Sequence, residues 1–169
     1  TVTFGASASN NAVNFYAPGG TVTLAIGSGQ EYYIVPSGSM RLQNAGGAAG
    51  VEQVSGLLSV NGHVYIGDQA THNGNRLTVK GSGTVLRTRV FDINCGLAGS
   101  NNRIDVLDGA RLEPYRYLYS GYGAGTNNLV YVSGTGTEVY PRNSGIMVGR
   151  NGDYNRLVLE NGAQATVTN

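Results

Sequence analysis

Charged side chains are scarce in this sequence of 169 residues, at 12% of the total, which is about half the roughly 25% typical of globular domains. Eleven basic and ten acidic residues leave a formal net charge of +1. Such a balance creates no field that would attract DNA, RNA or an anionic membrane surface. The sequence therefore predicts no nucleic-acid partner.

Cysteine is almost absent as well, since Cys95 stands alone. A single thiol excludes an internal disulfide and any metal site built from several cysteines. No stretch approaches the roughly 18 consecutive apolar residues of a membrane-spanning helix. We therefore expect no membrane insertion of this segment, no metal and no other cofactor.

The residues that are abundant favour strands and turns. Glycine occurs 27 times and tyrosine 11 times, and hydrophobic residues make up 40% of the chain. Valine, threonine and tyrosine are strand formers, whereas glycine and asparagine are turn formers. The hydrophobic content exceeds that of disordered chains, so the protein should fold.

Related strings return at a nearly constant interval. NRLTVKGSG begins at Asn75, NRIDVLDGA at Asn102, NLVYVSGTG at Asn128 and NRLVLENGA at Asn155, with spacings of 27, 26 and 27 residues. Four occurrences at a near-fixed period predict a repeat architecture.

Apolar and polar residues alternate after each of these asparagines, which predicts a strand with one buried face. The residues expected to point inward are Leu77 and Val79, Ile104 and Val106, Val130 and Val132, and Leu157 and Leu159. A turn with a glycine in positive φ is expected after each strand, at Gly81, Gly109, Gly134 and Gly162.

Two further strands complete each repeat. One precedes the asparagine, as in VYIGD from Val64, and a shorter one follows the turn, as in GTVL ending at Leu86. A coil of three short strands cannot bury its own apolar face, so neighbouring coils must stack with their strands paired in parallel. The sequence predicts an all-β, single-domain parallel β-helix, or β-solenoid, of about six coils with roughly 26–27 residues per coil.

Residues 1–50 fit this repeat less well than residues 51–169, and we expect irregular first coils or a cap there. YYIVPSGSM from Tyr32 can be laid over the Asn75 string, and GVEQVSG from Gly50 over the Asn128 string. The interval between these two segments, 18 residues, is too short for one coil. NAGGAAG from Asn44 is interpreted as a loop, with the start of one helical turn as the alternative.

An asparagine at one place in successive coils can hydrogen-bond its side chain to the coils above and below. We therefore predict a structural ladder, which consists of Asn75, Asn102, Asn128 and Asn155. An active site requires different groups that converge, whereas this pattern offers the same amide four times.

The segment VGRNGDYNRLVLENGAQATV, from Val148 to Val167, combines a Val-Gly turn, an alternating strand and an Asn-Gly-Ala turn before another strand. It resembles the repeat regions of bacterial exported β-solenoids, such as autotransporter passengers and filamentous-haemagglutinin-type adhesins. The resemblance covers residues 64–167. It implies a secreted or cell-surface bacterial segment that acts as a non-catalytic stalk or adhesive surface.

Calcium-binding toxin repeats form a similar solenoid, but with a G-G-x-G-x-D pattern of about nine residues. Here asparagine stands where the ligand aspartate would be, and the period is three times longer. Oxygen ligands are too sparse for a calcium ladder.

Some β-helices cut acidic polysaccharides, and a glycoside hydrolase needs two carboxyl groups close together. Alignment of the coils places Asp105 in a column with Thr78, Tyr131 and Val158, and Glu160 in a column with Lys80, Leu107 and Ser133. No column pairs two acids. The remaining candidates, which are expected to be solvated surface charges, are Asp68, Asp92, Asp108, Glu113, Glu138 and Asp153. Arg103 is expected to form a weak surface ion pair with Asp105.

Other catalytic groups are equally dispersed. His63 and His72 have no serine or cysteine motif around them, so nucleophilic catalysis has no support. A lyase could use Lys80 or an arginine, but no residue is singled out. Cys95 aligns with Ile66 and Val148, so a buried and unreactive thiol is expected.

The segment EPYRYLYSGYG, from Glu113 to Gly123, is the most suggestive surface feature. If Leu118 points inward, Tyr115, Tyr117 and Tyr119 share the outward face of the strand. Together with Tyr122 and Tyr131 they form a candidate ligand-binding surface, since tyrosine rings suit both sugars and protein partners. The alternative is that these tyrosines are simply good strand residues that stack between coils.

Three functions remain open: a stalk or adhesive segment, which we favour; a carbohydrate-binding module that uses the tyrosine-rich segment; and a polysaccharide-processing β-helix. The third requires two acids, or an acid with arginine or lysine, to converge in a groove. Glycans or surface proteins are the expected partners.

Because the chain stops at ATVTN directly after a strand, we also expect flanking coils or end-to-end association.

Overall fold

Twenty short strands, with no helix among the described residues, form the protein in a computed structural model that describes residues 1–16, 19–35, 38–44 and 50–167. The strands belong to three sheets, and every pairing within a sheet is parallel. None of the described segments is a helix with the length and hydropathy of a membrane span.

Each sheet takes one strand from each coil. The first sheet contains β1 (Val2–Phe4), β4 (Thr21–Ile26), β7 (Gly50–Ser55), β10 (Arg76–Lys80), β13 (Arg103–Leu107), β16 (Leu129–Ser133) and β19 (Arg156–Glu160). The second contains β2 (Ala8–Asn10), β5 (Glu31–Ile34), β8 (Leu57–Val60), β11 (Val85–Thr88), β14 (Arg111–Glu113), β17 (Glu138–Val139) and β20 (Gln164–Ala165). The third contains β3 (Val13–Phe15), β6 (Met40–Leu42), β9 (Val64–Ile66), β12 (Ile93–Cys95), β15 (Leu118–Ser120) and β18 (Ile146–Val148).

This arrangement confirms the predicted parallel β-solenoid of about six coils. The residues that directly follow the ladder asparagines pair with one another in the first sheet, namely Arg76, Arg103, Leu129 and Arg156. The strand register therefore repeats at the intervals seen between the asparagines. The predicted columns through Asp105 and Glu160 are present as well.

The core runs along the axis of the solenoid. The inward residues of β10, β13 and β16 are all fully buried, namely Leu77, Val79, Ile104, Val106, Val130 and Val132. Each contributes roughly 1.5–3 kcal/mol by burial. Leu157 is only partly buried and Leu159 is 39% exposed, because they lie in the last described coil and are covered on one side only.

The N-terminal alignment was wrong at one point. Tyr32 lies in the second sheet beside Leu58, and not in the first sheet with the Asn75 string. An alternating strand fits any face of a solenoid, so alternation alone could not assign the sheet. Gly50 does lie in the first sheet, beside Arg76. The 18-residue interval therefore runs from the second sheet of one coil to the first sheet of the next and is not the length of a coil.

Three short strands of residues 2–15 pair with their counterparts in the next coil. The register shifts once in the first sheet, between Leu24 and Ala25. Most of the segment NAGGAAG falls on residues 45–49, which lie outside the described residues.

Candidate functional site

The outward face of the third sheet carries a column of tyrosines interrupted by one short side chain. Tyr65, Asn94 and Tyr119 are paired directly in β9, β12 and β15, and Met147 of β18 follows them. Same-face side chains of neighbouring strands stack on one another. Because asparagine is much shorter than tyrosine, the sheet surface has a depression at Asn94.

A second column precedes the first by two residues along each strand. His63, Asp92 and Tyr117 are neighbours here, since the Val64 N–H donates to the Asp92 carbonyl at 3.1 Å and the Ile93 N–H to the Tyr117 carbonyl at 3.0 Å. The middle coil again contributes the shorter side chain. The two depressions join into one groove along β12, with aromatic walls two strand spacings, or about 10 Å, apart.

The groove has a volume of about 540 Å³, which is within the usual range for ligand sites. Its lining consists of His63, Tyr65, Asp92, Asn94, Leu97, Arg116, Tyr117, Tyr119, Tyr122, Met147 and Arg150. A depression of similar volume on the first sheet, lined by Thr23, Glu52 and Lys80 among others, contains no aromatic ring. We therefore regard the groove on the third sheet as the candidate site.

Ring contacts hold the walls in place. The Tyr119 ring lies 5.4 Å from the Tyr117 ring and meets the Tyr122 ring edge-on at 4.6 Å, as measured between ring centroids. On the opposite wall His63 stacks on Tyr65 at 5.0 Å. Such contacts restrict the rings before any ligand arrives, so the wall is preorganised.

Hydrogen bonds also fix the polar floor. The Asp92 carboxylate accepts a hydrogen bond from the Tyr117 N–H at 3.0 Å, and the Asp92 N–H donates to His63 Nδ1 at 3.4 Å. Burial lowers the pKa of His63, and this outweighs the neighbouring Asp92 carboxylate, which raises it. The imidazole is therefore neutral near pH 7, with a lone pair at Nδ1.

Tyr65 and Tyr119 are neutral phenols at neutral pH. Burial raises the pKa of Tyr65 and of Tyr119 above the usual value of 10.0. A neutral phenol both donates and accepts hydrogen bonds.

The Asn94 amide is open to the groove. Its residue is only 3% exposed, yet the amide makes no hydrogen bond to any described residue. Its donor and its acceptor are therefore available to a ligand or to water.

The predicted tyrosine surface is divided between three faces. Tyr117, Tyr119 and Tyr122 lie together in the groove, whereas Tyr115 lies under the Arg142 guanidinium at 5.5 Å. Tyr131 lies on the first sheet, where its hydroxyl donates to Glu160 at 2.9 Å. Alternation does not extend to Tyr115, because the backbone bends at residues 115–116, before β15 begins.

Eight groove residues were not singled out from the sequence as ligand-binding candidates: His63, Tyr65, Asp92, Asn94, Leu97, Arg116, Met147 and Arg150. A signal for two of them was present. When VYIGD, FDINCG and YLYSG are aligned on their glycines, Tyr65 and Asn94 fall in the same column as Tyr119.

The ladder asparagines are engaged within the solenoid. Asn102 Oδ1 accepts from the Asn75 N–H, Asn128 Oδ1 from the Asn102 N–H, and Asn155 Oδ1 from the Asn128 N–H, each at 2.9 Å. Asn155 Nδ2 donates to the carbonyls of Gly125 and Gly152. These side chains satisfy buried backbone groups and do not reach the groove.

The expectation of solvated carboxylates was wrong for three acids. Asp105 is 0% exposed, Glu113 is 3% exposed and Asp92 is 9% exposed. Arg76 and Arg103 both pair with Asp105, so the expected surface pair is a buried carboxylate held by two arginines. Long arginine side chains from adjacent coils cover the carboxylates with their apolar stems.

Arg87 and Arg111 hold Glu113 in the same way. His72 Nδ1 lies 2.8 Å from Asp68, which also pairs with Arg41. Among the carboxylates of the described residues, Asp92 is the one that lines the groove.

Cys95 is fully buried, and burial raises the pKa of its thiol to about 12. The thiol is therefore protonated and unreactive at neutral pH. The described residues contain no group of three or more histidine, cysteine, aspartate or glutamate side chains arranged to hold a metal ion.

Comparison with protein-family models, with curated proteins and with solved structures found no match. The β-solenoid architecture therefore stands on the strand pairing, and the function has to be argued from the groove.

Proposed function

We propose that this chain is a secreted or cell-surface β-solenoid segment of a bacterial protein, and that its groove binds a glycan. The stacked coils would serve as the rigid part of a stalk, and the groove as its adhesive surface. The observation that carries the proposal is the polar floor of Asp92 and Asn94 between aromatic walls.

This chemistry suits a sugar. The faces of a pyranose ring carry C–H groups that pack on aromatic rings, while its hydroxyls need donors and acceptors at the edges. Tyr65, Tyr117 and Tyr122 offer the rings. The Asn94 amide offers both a donor and an acceptor.

The resemblance to autotransporter passengers and haemagglutinin-type adhesins supports the proposed location and the adhesive role. The parallel pairing of all three sheets supports a scaffold that changes little on binding, because each coil is fixed by its neighbours.

A glycan array with matched tyrosine variants tests this function. Tyr117→Ser and Tyr122→Ser remove groove rings, whereas Tyr115→Ser and Tyr131→Ser remove rings of similar burial on other faces. Loss of one stacking ring should weaken binding about tenfold. Binding should persist in the two control variants. Equal loss in Tyr131→Ser, or no binding by the wild type, would contradict the proposal.

One observation favours a second candidate, a polysaccharide lyase. His63, Asp92 and Arg116 line the same groove, and an acid with an arginine is one of the arrangements that such an enzyme requires. A rotation of the His63 ring that frees Nδ1 from its long contact with the Asp92 N–H would let the neutral imidazole take a proton next to a sugar carboxylate, while arginine offsets the developing charge. The electron pair would form a C=C bond as the glycosidic C–O bond breaks, and the leaving oxygen would take a proton from the imidazolium or from water.

The ultraviolet absorbance of that unsaturated product distinguishes the lyase from the binding module. The lyase requires absorbance to rise with polyuronate and to stop rising in His63→Gln. Binding on the array without any absorbance change rejects the lyase and leaves the binding module.

A further inference from the structure

Most positive charges of this protein are paired with carboxylates. The described residues that form such ion pairs are Arg41, Arg76, Lys80, Arg87, Arg89, Arg103 and Arg111. Arg116, Arg150 and Arg156 have no carboxylate partner among the described residues. Two of these three line the groove, so unpaired positive charge is concentrated there.

The two groove arginines lie at opposite ends of the tyrosine wall. Arg116 directly precedes Tyr117, and Arg150 lies beside Tyr122 because its N–H donates to the Gly121 carbonyl at 2.9 Å. Tyr122 follows Arg116 by six residues in the sequence. The distance between them is therefore at most about 20 Å, at roughly 3.3 Å per residue. A chain of a few sugars spans such a length.

Aromatic rings orient both guanidinium groups. The Arg150 guanidinium lies 4.7 Å from the centroid of Tyr122, and that of Arg116 lies 6.0 Å from the centroid of Tyr117. Both arginines are exposed to solvent at the rim of the groove. Stacking holds the planar group while its N–H donors stay free for an anion.

Asp92 offsets only part of this charge, since one carboxylate faces two arginines. Its carboxylate accepts a hydrogen bond from the Tyr117 N–H and lies 3.6 Å from His63. It is also buried on the floor of the groove. The rim therefore presents positive potential to a ligand.

We propose that the groove takes an acidic oligosaccharide whose carboxylates pair with Arg116 and Arg150. This inference rests on the glycan-binding function proposed above and names the class of glycan. The guanidinium fork matches a carboxylate with two parallel hydrogen bonds. A sulfate ester can pair with it in the same way, so the test includes sulfated oligomers.

The test compares oligouronides with methyl-esterified oligomers of the same length, which keep the ring and lose the charge. Affinity is measured by calorimetry for wild type, Arg116→Gln and Arg150→Gln. Arg156→Gln is the matched control, because it removes an unpaired arginine from the first sheet. Thermal unfolding verifies that each variant remains folded.

We expect about tenfold weaker oligouronide binding for each groove variant, no change for Arg156→Gln, and weaker binding of the ester by wild type. Higher salt should weaken oligouronide binding as well. Equal affinity for acid and ester would overturn this inference and leave the glycan-binding function standing. Binding of sulfated oligomers alone would overturn the choice of carboxylate. Failure of every glycan, neutral ones included, would overturn both proposals.

Discussion

Asn102 Oδ1 accepts two hydrogen bonds from Asn75, one from its backbone N–H at 2.9 Å and one from its side-chain Nδ2 at 3.1 Å. Both residues are almost completely buried. A buried N–H must be paired, because water cannot reach it. The asparagine side chain therefore completes the backbone pairing at the point where each coil enters the first sheet.

Asn102→Ala should lower the free energy of unfolding by about 1–3 kcal/mol, because it leaves the buried Asn75 N–H without an acceptor. Urea unfolding measures this difference. Asn143→Ala is the control at an exposed position and should change stability by less than about 0.5 kcal/mol. Equal effects of the two substitutions would show that the ladder does not stabilise the solenoid.

Glycine makes room for this ladder. A Cβ at Gly96 would lie 2.1 Å from Asn128 Nδ2, and Gly96 adopts a φ of +75°. Gly96→Ala should therefore destabilise the protein by about 2–4 kcal/mol, from backbone strain and overpacking together. At Gly145 a Cβ would meet nothing within 4 Å, so Gly145→Ala should be nearly neutral. A similar midpoint of urea unfolding for both variants would contradict this account.

The solenoid could be predicted because its repeat follows two local rules. Apolar and polar residues alternate within strands, and glycine or asparagine stands at the turns. The groove was not, because it arises where successive coils differ. Asn94 is unremarkable in sequence and becomes the floor only between Tyr65 and Tyr119. The burial of Asp105 likewise depends on Arg76 from the preceding coil. Alignment of the repeats gives such columns, but it does not give the direction in which the covering side chains point.

His63 makes stability depend on pH. Its folded-state pKa is lowered, chiefly by burial, from an ordinary value of 6.5. As pH falls through that value, the unfolded chain binds a proton before the folded chain does, so the free energy of unfolding decreases. The contribution is fully present above the ordinary pKa and is lost as pH falls toward the lowered one.

Urea unfolding from about pH 8 to about pH 5 measures this dependence. Wild type should lose more stability over that range than His63→Gln, which cannot bind the proton. An equal loss in both proteins would assign the pH dependence to other groups.

Tyr154 is the residue least suited to its backbone conformation. It precedes the ladder Asn155 and has a φ of +57°, and the corresponding residues of the three preceding coils are Gly74, Asn101 and Asn127, also with positive φ. Glycine and asparagine adopt this left-handed conformation readily, whereas a bulky side chain does not. The tyrosine ring is 82% exposed, so its removal costs little packing. Tyr154→Asn and Tyr154→Gly should each raise the free energy of unfolding by about 0.5–1 kcal/mol.

Tyr154→Ala separates backbone strain from loss of the ring, because alanine has a Cβ and keeps the unfavourable φ. Thermal and urea unfolding should place Tyr154→Ala at or below wild type and the asparagine and glycine variants above it. If alanine stabilised the protein as much as asparagine does, the exposed ring itself would be unfavourable and the backbone would not be strained. The four coils with a ladder asparagine each place a left-handed residue directly before it, so the expected order would show that the choice of residue at this position affects the stability of the solenoid.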